Sequence, residues 1–411
     1  MILQVFTTVG ASLFENYRKY RPKDIDAVYD VLKDKGNKDW EGNQNRIERL
    51  RITVSKWADS NDNACAEIKS IIKIVKREMS NCYVRLLASD TIISRLAAEI
   101  IKDKLHERQI DGFTVEVHFD PDKDVVKNLQ VSDRKLFEKE GLVNLVEHLS
   151  NWGFENTIFN ITGGYKGVIP YLSLMAMVNS VPLYYIFEDT DELIKIPQVP
   201  VDINWAMFEK YAYVLERLEE GIMDWPQFKR EHNIGEDFQA CFWEEDGLAE
   251  LNAVGRIFWE RFKNFIVVKV PRGFGLFSDK PGNRRQVEKA INQLYNRLMD
   301  VIDYNKITSQ EQLLDYINGL SEQDDLRHAT NPGKNLFIFK YTDVEHIRLV
   351  YRPLFRWGNL SLIVCDYFRG REIVHEKSKY IRDFQKKWSN FKDSQIEDFD
   401  TIPIKKEKIK L

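Results

Sequence analysis

Two glycine-bearing stretches hold the residue types that bind phosphate. The longer is Asn160-Ile161-Thr162-Gly163-Gly164-Tyr165-Lys166-Gly167-Val168-Ile169-Pro170. It follows Thr157-Ile158-Phe159, an apolar run with a strand's character. It precedes Tyr171 to Val178, which has that of a buried helix. A turn so placed offers the unpaired N–H groups of a helix start, where the dipole favours an anion. Its glycines let backbone approach a ligand closely, and Lys166 adds a cation. A plain strand-to-helix turn would use the same residues. The other stretch shifts that balance: Ile2 to Phe6 is expected as a first strand, and Thr7-Thr8-Val9-Gly10-Ala11-Ser12-Leu13 as the polar turn after it. Two such turns, far apart in sequence, could meet at the carboxyl ends of adjacent parallel strands, the usual ligand crevice of an open α/β sheet.

A different chemistry is suggested near the C-terminus. Between Glu345 and Arg382 there are eight Lys or Arg against four Asp or Glu, so a locally positive face suits RNA although the net charge is −4. In the alternating stretch His346 to Arg352, Ile347, Leu349 and Tyr351 share one face and Arg348 and Arg352 the other. Two arginines on one sheet face can grip a scissile phosphate and neutralise charge growing on it. Trp357, Tyr367 and Phe368 could stack on bases. Metal-independent RNA cleavage needs a base for the 2′-hydroxyl, cations for the phosphorane and an acid for the leaving 5′-oxygen. Proton-transfer candidates are His328, Lys334, Lys340, Tyr351, His375 and Tyr380; charge candidates are Arg348, Arg352, Arg369 and Arg371. The reading adopted places Arg348 and Arg352 on the phosphate, with His375 or Lys334 nearest the proton transfer. Solvated strand charges are the plain alternative.

The positioning elements follow from periodicity. Phe14 to Asp62 is expected as helix and loops outside a sheet, and Cys65 to Glu78 as a helix with Ile68, Ile71, Ile72 and Val75 inward. Tyr83 to Ala88 is expected as a strand ending in Ser89-Asp90-Thr91, a cap for the helix from Ile92. Phe113 to His118, Thr157 to Phe159 and Val181 to Phe187 are further strands, with Glu140 to Leu149 a helix. His118 is taken as a strand-face side chain. This alternation predicts an α/β domain with a mostly parallel, Rossmann-like sheet over 1–200. Pro197 to Pro200 marks a boundary. Residues 201–263 are expected as a helical connector, for which a winged-helix-like form is one option. Residues 264–411 are expected as an α+β domain: strand Phe265 to Val270, helices Arg284 to Val301 and Ser309 to Leu320, then strands Leu336 to Lys340, His346 to Arg352 and Leu360 to Tyr367, the last central. Lys405 to Lys410 is expected as a disordered basic tail.

The pairing of T-x-V-G-x-S-L with a later T-G-G-x-K turn resembles the CARF domain of CRISPR-associated effectors, over roughly the first half of the chain. That resemblance implies a homodimer binding cyclic oligoadenylate across its axis, cyclic tetraadenylate favoured over hexaadenylate. It implies contacts from Thr8, Gly10, Ser12, Thr162, Gly163, Gly164, Tyr165 and Lys166, and no other cofactor or metal. The order of elements after Phe265 resembles RelE/HigB-like toxins, with Asp343 to Arg352 similar to that family's h-R-h-h-Y strand and Arg327 to Lys334 in the place of its basic loop. It implies a metal-independent endoribonuclease cutting mRNA, on the ribosome, within type III CRISPR antiviral defence. Arg348, Arg352, His375, Lys334, Tyr351 and Arg371 are the site residues this reading selects.

Composition bounds the rest. Hydrophobic content of 43% with 30% charged residues fits a soluble globular chain, and no apolar run is long enough to span a bilayer. Cys65, Cys82, Cys241 and Cys365 form no zinc or disulfide spacing, so a cytoplasmic setting is expected. Three rivals stand. Arg369 and His375 have the spacing of a HEPN ribonuclease motif, but beside an apolar strand. Glu67-Ile68-Lys69 is a restriction-type triplet lying in the sensor half. A ligand-gated DNA-binding regulator would cut no RNA.

Overall fold

The computed structural model describes residues 2–130, 132–186, 191–199, 201–274, 281–328, 331–342, 346–370 and 377–407. The chain forms two compact units, Met1–Ile203 with Leu218–Glu260, and Asn204–Arg217 with Arg261–Leu411. Residues 201–263, expected as a connector, are divided between the two.

The first unit is built on eight strands: β1 (Leu3–Val9), β2 (Cys82–Ser89), β3 (Arg108–Ile110), β4 (Phe113–His118), β5 (Val125–Val126), β6 (Thr157–Asn160), β7 (Leu183–Ile186) and β8 (Leu193–Ile196). Their order is β3-β4-β2-β1-β6-β7-β8, with β5 on β2. The pairs from β4 to β7 are parallel, and the edge strands β3 and β8 run antiparallel. The mostly parallel sheet is as expected; the antiparallel edges were not foreseen. Because strand side chains alternate, β1 sends Val5 and Val9 to one core and Phe6 to another. The first core lies under the helices Ser12–Tyr20, Gln44–Asp59, Ala66–Glu78 and Ile92–Leu105, and the second under Leu142–Trp152 and Ile169–Asn179. Thr91 caps its helix as expected, its hydroxyl oxygen accepting from Ser94 N at 3.3 Å.

The segment expected as a helical connector contains a hairpin, β9 (Phe242–Glu245) and β10 (Leu248–Leu251). Asp246 and Gly247 turn it with φ of 52° and 82°, the two positive angles of a type I′ turn. Ile222, just before the helix Trp225–Glu231, bridges to Ala249 of β10.

The second unit runs β11 (Phe265–Val270), helices Pro281–Asn305 and Gln310–Gly319, β12 (Phe337–Thr342), β13 (His346–Arg356), β14 (Asn359–Gly370), helix Lys377–Trp388 and β15 (Asp400–Lys405). The sheet order is β12-β13-β14-β11-β15, with β11 parallel to β14 and the other pairs antiparallel. β14 is central, as its apolar run suggests. Val287, Ala290, Ile291, Leu294, Leu298 and Val301 form the buried stripe expected of the long helix. The basic tail needs correction up to Glu407. Lys405 ends β15, Lys406 N donates to Asn264 O at 2.9 Å, and Glu407 N donates to Asn292 Oδ1 at 2.8 Å. No helix among the described residues is long and apolar enough to cross a membrane.

Candidate functional site

Parallel register brings the carboxyl ends of three strands level: Thr7 of β1 stands beside Leu86 of β2 and Asn160 of β6. The turns that leave those ends border a cleft of about 790 Å³. Gly10 and Ser12 line it from the first turn, Ser89 and Thr91 from the second, and Thr162 to Lys166 from the third. The two motifs singled out in the sequence therefore meet in one cleft.

They meet backbone to backbone. A Cβ added to Gly10 would lie 3.0 Å from Gly164 N, and one added to Gly164, at φ +88°, would lie 2.9 Å from Thr8 Cβ. Close approach of the turns to each other thus demands these glycines, independently of any ligand. Thr8 is buried and donates from Oγ1 to Gly163 O at 2.6 Å, so it clamps the second turn from behind. Thr162 does similar work: its Oγ1 donates to Asn160 Oδ1 at 2.7 Å and accepts from Ile186 N at 3.2 Å. Asn160 in turn donates to Ser70 Oγ at 2.7 Å. Tyr165 is half-buried; burial raises its phenol pKa, and hydrogen bonds with Ser89 and Thr91 oppose that shift. Lys166 is exposed at the cleft.

One residue has a place here that the sequence did not reveal. Glu67, 1% exposed, turns its carboxylate under the cleft floor. Its Oε1 accepts from Gly10 N at 2.9 Å and its Oε2 from Ser12 Oγ at 2.6 Å. A Cβ on Gly163 would sit 2.2 Å from Oε1, so the second turn closes over the same group. Among the described residues the carboxylate has no cationic partner. Its helix begins at Cys65, whose Sγ accepts from Ile68 N at 3.4 Å; burial, then the charge of Glu67, pushes that thiol well above its usual range. An available signal was that Glu67 falls on the inward face of its helix with Ile71 and Ile74, where a carboxylate is out of place.

In the second unit, Arg348 and Arg352 share one face of β13 with Val350. Cys365 is the extra residue of a bulge in β14, opposite the step from Val350 to Tyr351. That face is covered: Ile338, Val350, Ile363 and Cys365 pack with Tyr380 and Phe384 of the helix Lys377–Trp388 and with Phe391. Arg348 and Arg352 are 7% and 8% exposed. Arg348 donates from one terminal nitrogen to Tyr341 O (3.2 Å) and Ile347 O (2.9 Å), and Arg352 makes a two-pronged pair with Asp393. Among the described residues neither Nε has a hydrogen-bond partner. Tyr351 lies on the opposite face in the other core, fully buried, its hydroxyl donating to Leu326 O at 2.8 Å; burial holds its pKa far above the usual range. Lys334 is exposed, next to Gly333, whose Cβ would meet Trp388 O at 2.3 Å. Lys340 donates to Glu322 O at 2.7 Å, and burial, then the charge of Arg348, lowers its pKa. Tyr380 stacks on Phe368 at 4.8 Å. Arg371 and His375 lie outside the described residues. Arg348 and Arg352 thus share one covered face of β13 with separate partners, Lys340 is paired to Arg348 across the strands, and Tyr351 is kept apart by the sheet.

Residues 62–199 match a family model described as a CRISPR-associated protein, Cas_APE2256. The match runs from just before the helix bearing Glu67 through β8, taking in the second glycine turn and the Ser89–Thr91 turn, but not β1. Over that stretch the chain is similar to CRISPR-associated proteins.

Proposed function

We propose that the chain is a cyclic-oligoadenylate-gated ribonuclease of CRISPR defence, working as a homodimer in the cytoplasm. The carrying observation is that Gly10 to Ser12 and Thr162 to Lys166, 155 residues apart where Thr8 meets Gly163, line one cleft. Helix-start N–H groups and Lys166 suit an anionic ring there, cyclic tetraadenylate before hexaadenylate. The CRISPR-associated family match over 62–199 supports the same direction.

For the second unit, the reading is a RelE-like metal-independent endoribonuclease acting on mRNA at the ribosome. It is supported by the run of β11, two helices and three antiparallel strands, and by two arginines on one sheet face. The guanidinium of Arg352 now holds the carboxylate of Asp393, a group of the same charge and fork geometry as a phosphate edge. Activation is then an exchange of protein acceptors for RNA phosphate as the ring favours an arrangement with the helix Lys377–Trp388 lifted. Lys334 and His375 remain the groups for proton transfer.

The test is RNA cleavage on free RNA and in a translation extract, with and without cyclic tetra- or hexaadenylate, beside the double variant Arg348→Ala/Arg352→Ala. Ring-dependent cuts in the presence of ribosomes, lost in the variant, are expected. Ring-dependent cuts that survive the variant sink this active site. A second reading, a ligand-gated DNA-binding regulator, is favoured by the helix Trp225–Glu231 followed by the β9–β10 hairpin with Ile222 bridged to it. It requires a DNA footprint that changes with the ring, and no cleavage.

A further inference from the structure

We propose that Glu67 sets which way the hydroxyl of Ser12 points, and thereby makes the cleft select a ligand carrying a free 2′-hydroxyl. The inference rests on the reading of the cleft as a site for a cyclic oligonucleotide.

A serine hydroxyl has one hydrogen to give and two lone pairs to offer. Ser12 spends its hydrogen inward, on Glu67 Oε2 at 2.6 Å. The carboxylate is acceptor-only and is 1% exposed. Glu67 cannot easily turn away, because Gly10 N holds its other oxygen at 2.9 Å and Gly163 closes over it. Towards the cleft, which Ser12 lines, the side chain therefore presents lone pairs alone.

That polarity is wrong for a phosphate oxygen, which brings no hydrogen. It is right for a donor. A 3′–5′-linked ring of adenosines has two kinds of donor: the 2′-hydroxyl of each sugar and the exocyclic amine of each base. The 2′-hydroxyl is the better fit, because the carbon that bears it is bonded to the carbon bearing the linking phosphate. Lys166 and the glycine-turn N–H groups in the same cleft serve that phosphate. Ser12 then reads ribose while Lys166 reads charge. Glu67, which touches Ser12 and no ligand atom, is a positioning residue.

Glu67→Gln changes this without emptying the space. The amide oxygen can still accept from Gly10 N, but the amide nitrogen now donates to Ser12 Oγ and turns the serine hydrogen outward. Ser12→Ala removes the group altogether. The measurement is the dissociation constant of the full-length chain for cyclic tetraadenylate, for its 2′-fluoro analogue, which keeps sugar shape and loses the donor, and for cyclic tetrainosinate, which loses the amine. The wild-type protein is expected to bind the 2′-fluoro ring about tenfold more weakly, the worth of one or two neutral hydrogen bonds. The inosine ring is expected to bind like the adenine ring. In both variants the ratio of ribo to 2′-fluoro affinity is expected to fall towards one, whereas a variant that is merely less stable leaves that ratio unchanged. Equal binding of ribo and 2′-fluoro rings by the wild type overturns the inference by itself, with no variant needed. So does discrimination against inosine alone, or a ribo preference retained in a folded Glu67→Gln. A wild-type chain that binds no ring at all overturns the sensor reading, and the inference falls with it.

Discussion

Replacing Gly163 by alanine adds one methyl group, and its cost can be worked from the geometry. The new Cβ would lie 2.2 Å from Glu67 Oε1 and 2.5 Å from Cδ and Cγ, far inside contact distance. Something must move by about an ångström. The backbone of Gly163 is held by Thr8 Oγ1, and the helix bearing Glu67 is fixed by Ile68 and Ile71, both fully buried. The carboxylate is therefore the part that yields, and it gives up one of its two bonds, that to Gly10 N or that to Ser12 Oγ. Overpacking costs about 1–3 kcal/mol, and loss of one hydrogen bond to a charged group about 1.5–3 kcal/mol. A total of about 4 kcal/mol corresponds to a fall of roughly 8–16 °C in Tm for a unit of this size. Gly167→Ala in the same turn is the control. Its Cβ would stand 3.6 Å from Phe137 Cζ, ordinary contact, and the change is expected to stay within about 0.5 kcal/mol. Differential scanning calorimetry, which separates the transitions of two units, is the assay. Should Gly163→Ala melt with Gly167→Ala, within a degree or two of the wild type, the account of Glu67 as a fixed, closely covered group is refuted.

Other expectations follow from single contacts. Asp393→Asn leaves the buried Arg352 guanidinium without its charge partner, whereas Arg352→Met fills the same space without a charge. Because the Asp393 side chain is 73% exposed, water takes over part of its role, and the first change is expected to cost about 1–2 kcal/mol, the second less than about 1. Urea unfolding of the two variants reads this, and a larger loss in Arg352→Met contradicts it. In the first unit, the hydrogen bond from Arg108 holds the carboxyl of Asp62 down at about 2, with Lys104 assisting against a smaller opposing effect of burial. A depressed carboxyl stabilises the fold fully above its ordinary value of 3.8 and loses that contribution as pH falls towards 2. The stability difference between wild type and Arg108→Ala, measured by denaturant titration, is thus expected near neutral pH, should shrink as pH falls from about 4 towards 2, and should vanish below that. A difference that persists in acid removes this ion pair as its cause.

What could be read from the residues was whatever depends on local pattern. The glycine turns, the capped helix at Thr91, the six-residue stripe of the long helix and the central β14 all follow from spacing alone. So did the shared face of Arg348 and Arg352, since alternation along a strand is a local rule. Whether that face looks at solvent is not local: it depends on the helix Lys377–Trp388 and on Asp393, which follow it in the chain but return to lie over it. Glu67 is similar, since its partners Gly10 and Ser12 stand 57 and 55 residues away. The Asp246-Gly247 hairpin is a different kind of miss. Its signal, the strongest short-range one for a hairpin, was present and lay hidden among helical neighbours. β15 went unseen because Asp400 to Lys405 carries charge and a proline, which an edge strand tolerates and a central one does not.

The position of β15 also bears on how the molecule is made. β11, with Ile266, Val268 and Val270 buried in the finished sheet, lies between β14 and β15, and both neighbours come much later in the chain. At translation rates of about 5–20 residues per second, β11 waits on the order of ten seconds for β14 to be added, and on the order of a few seconds more for β15. All residues of the first unit, by contrast, are present once Glu260 has been added. Vectorial synthesis therefore delivers the cleft early and completes the arginine-bearing sheet last. A chain released short of β15 would carry the cleft intact beside an unpaired apolar edge, the form most open to aggregation and proteolysis.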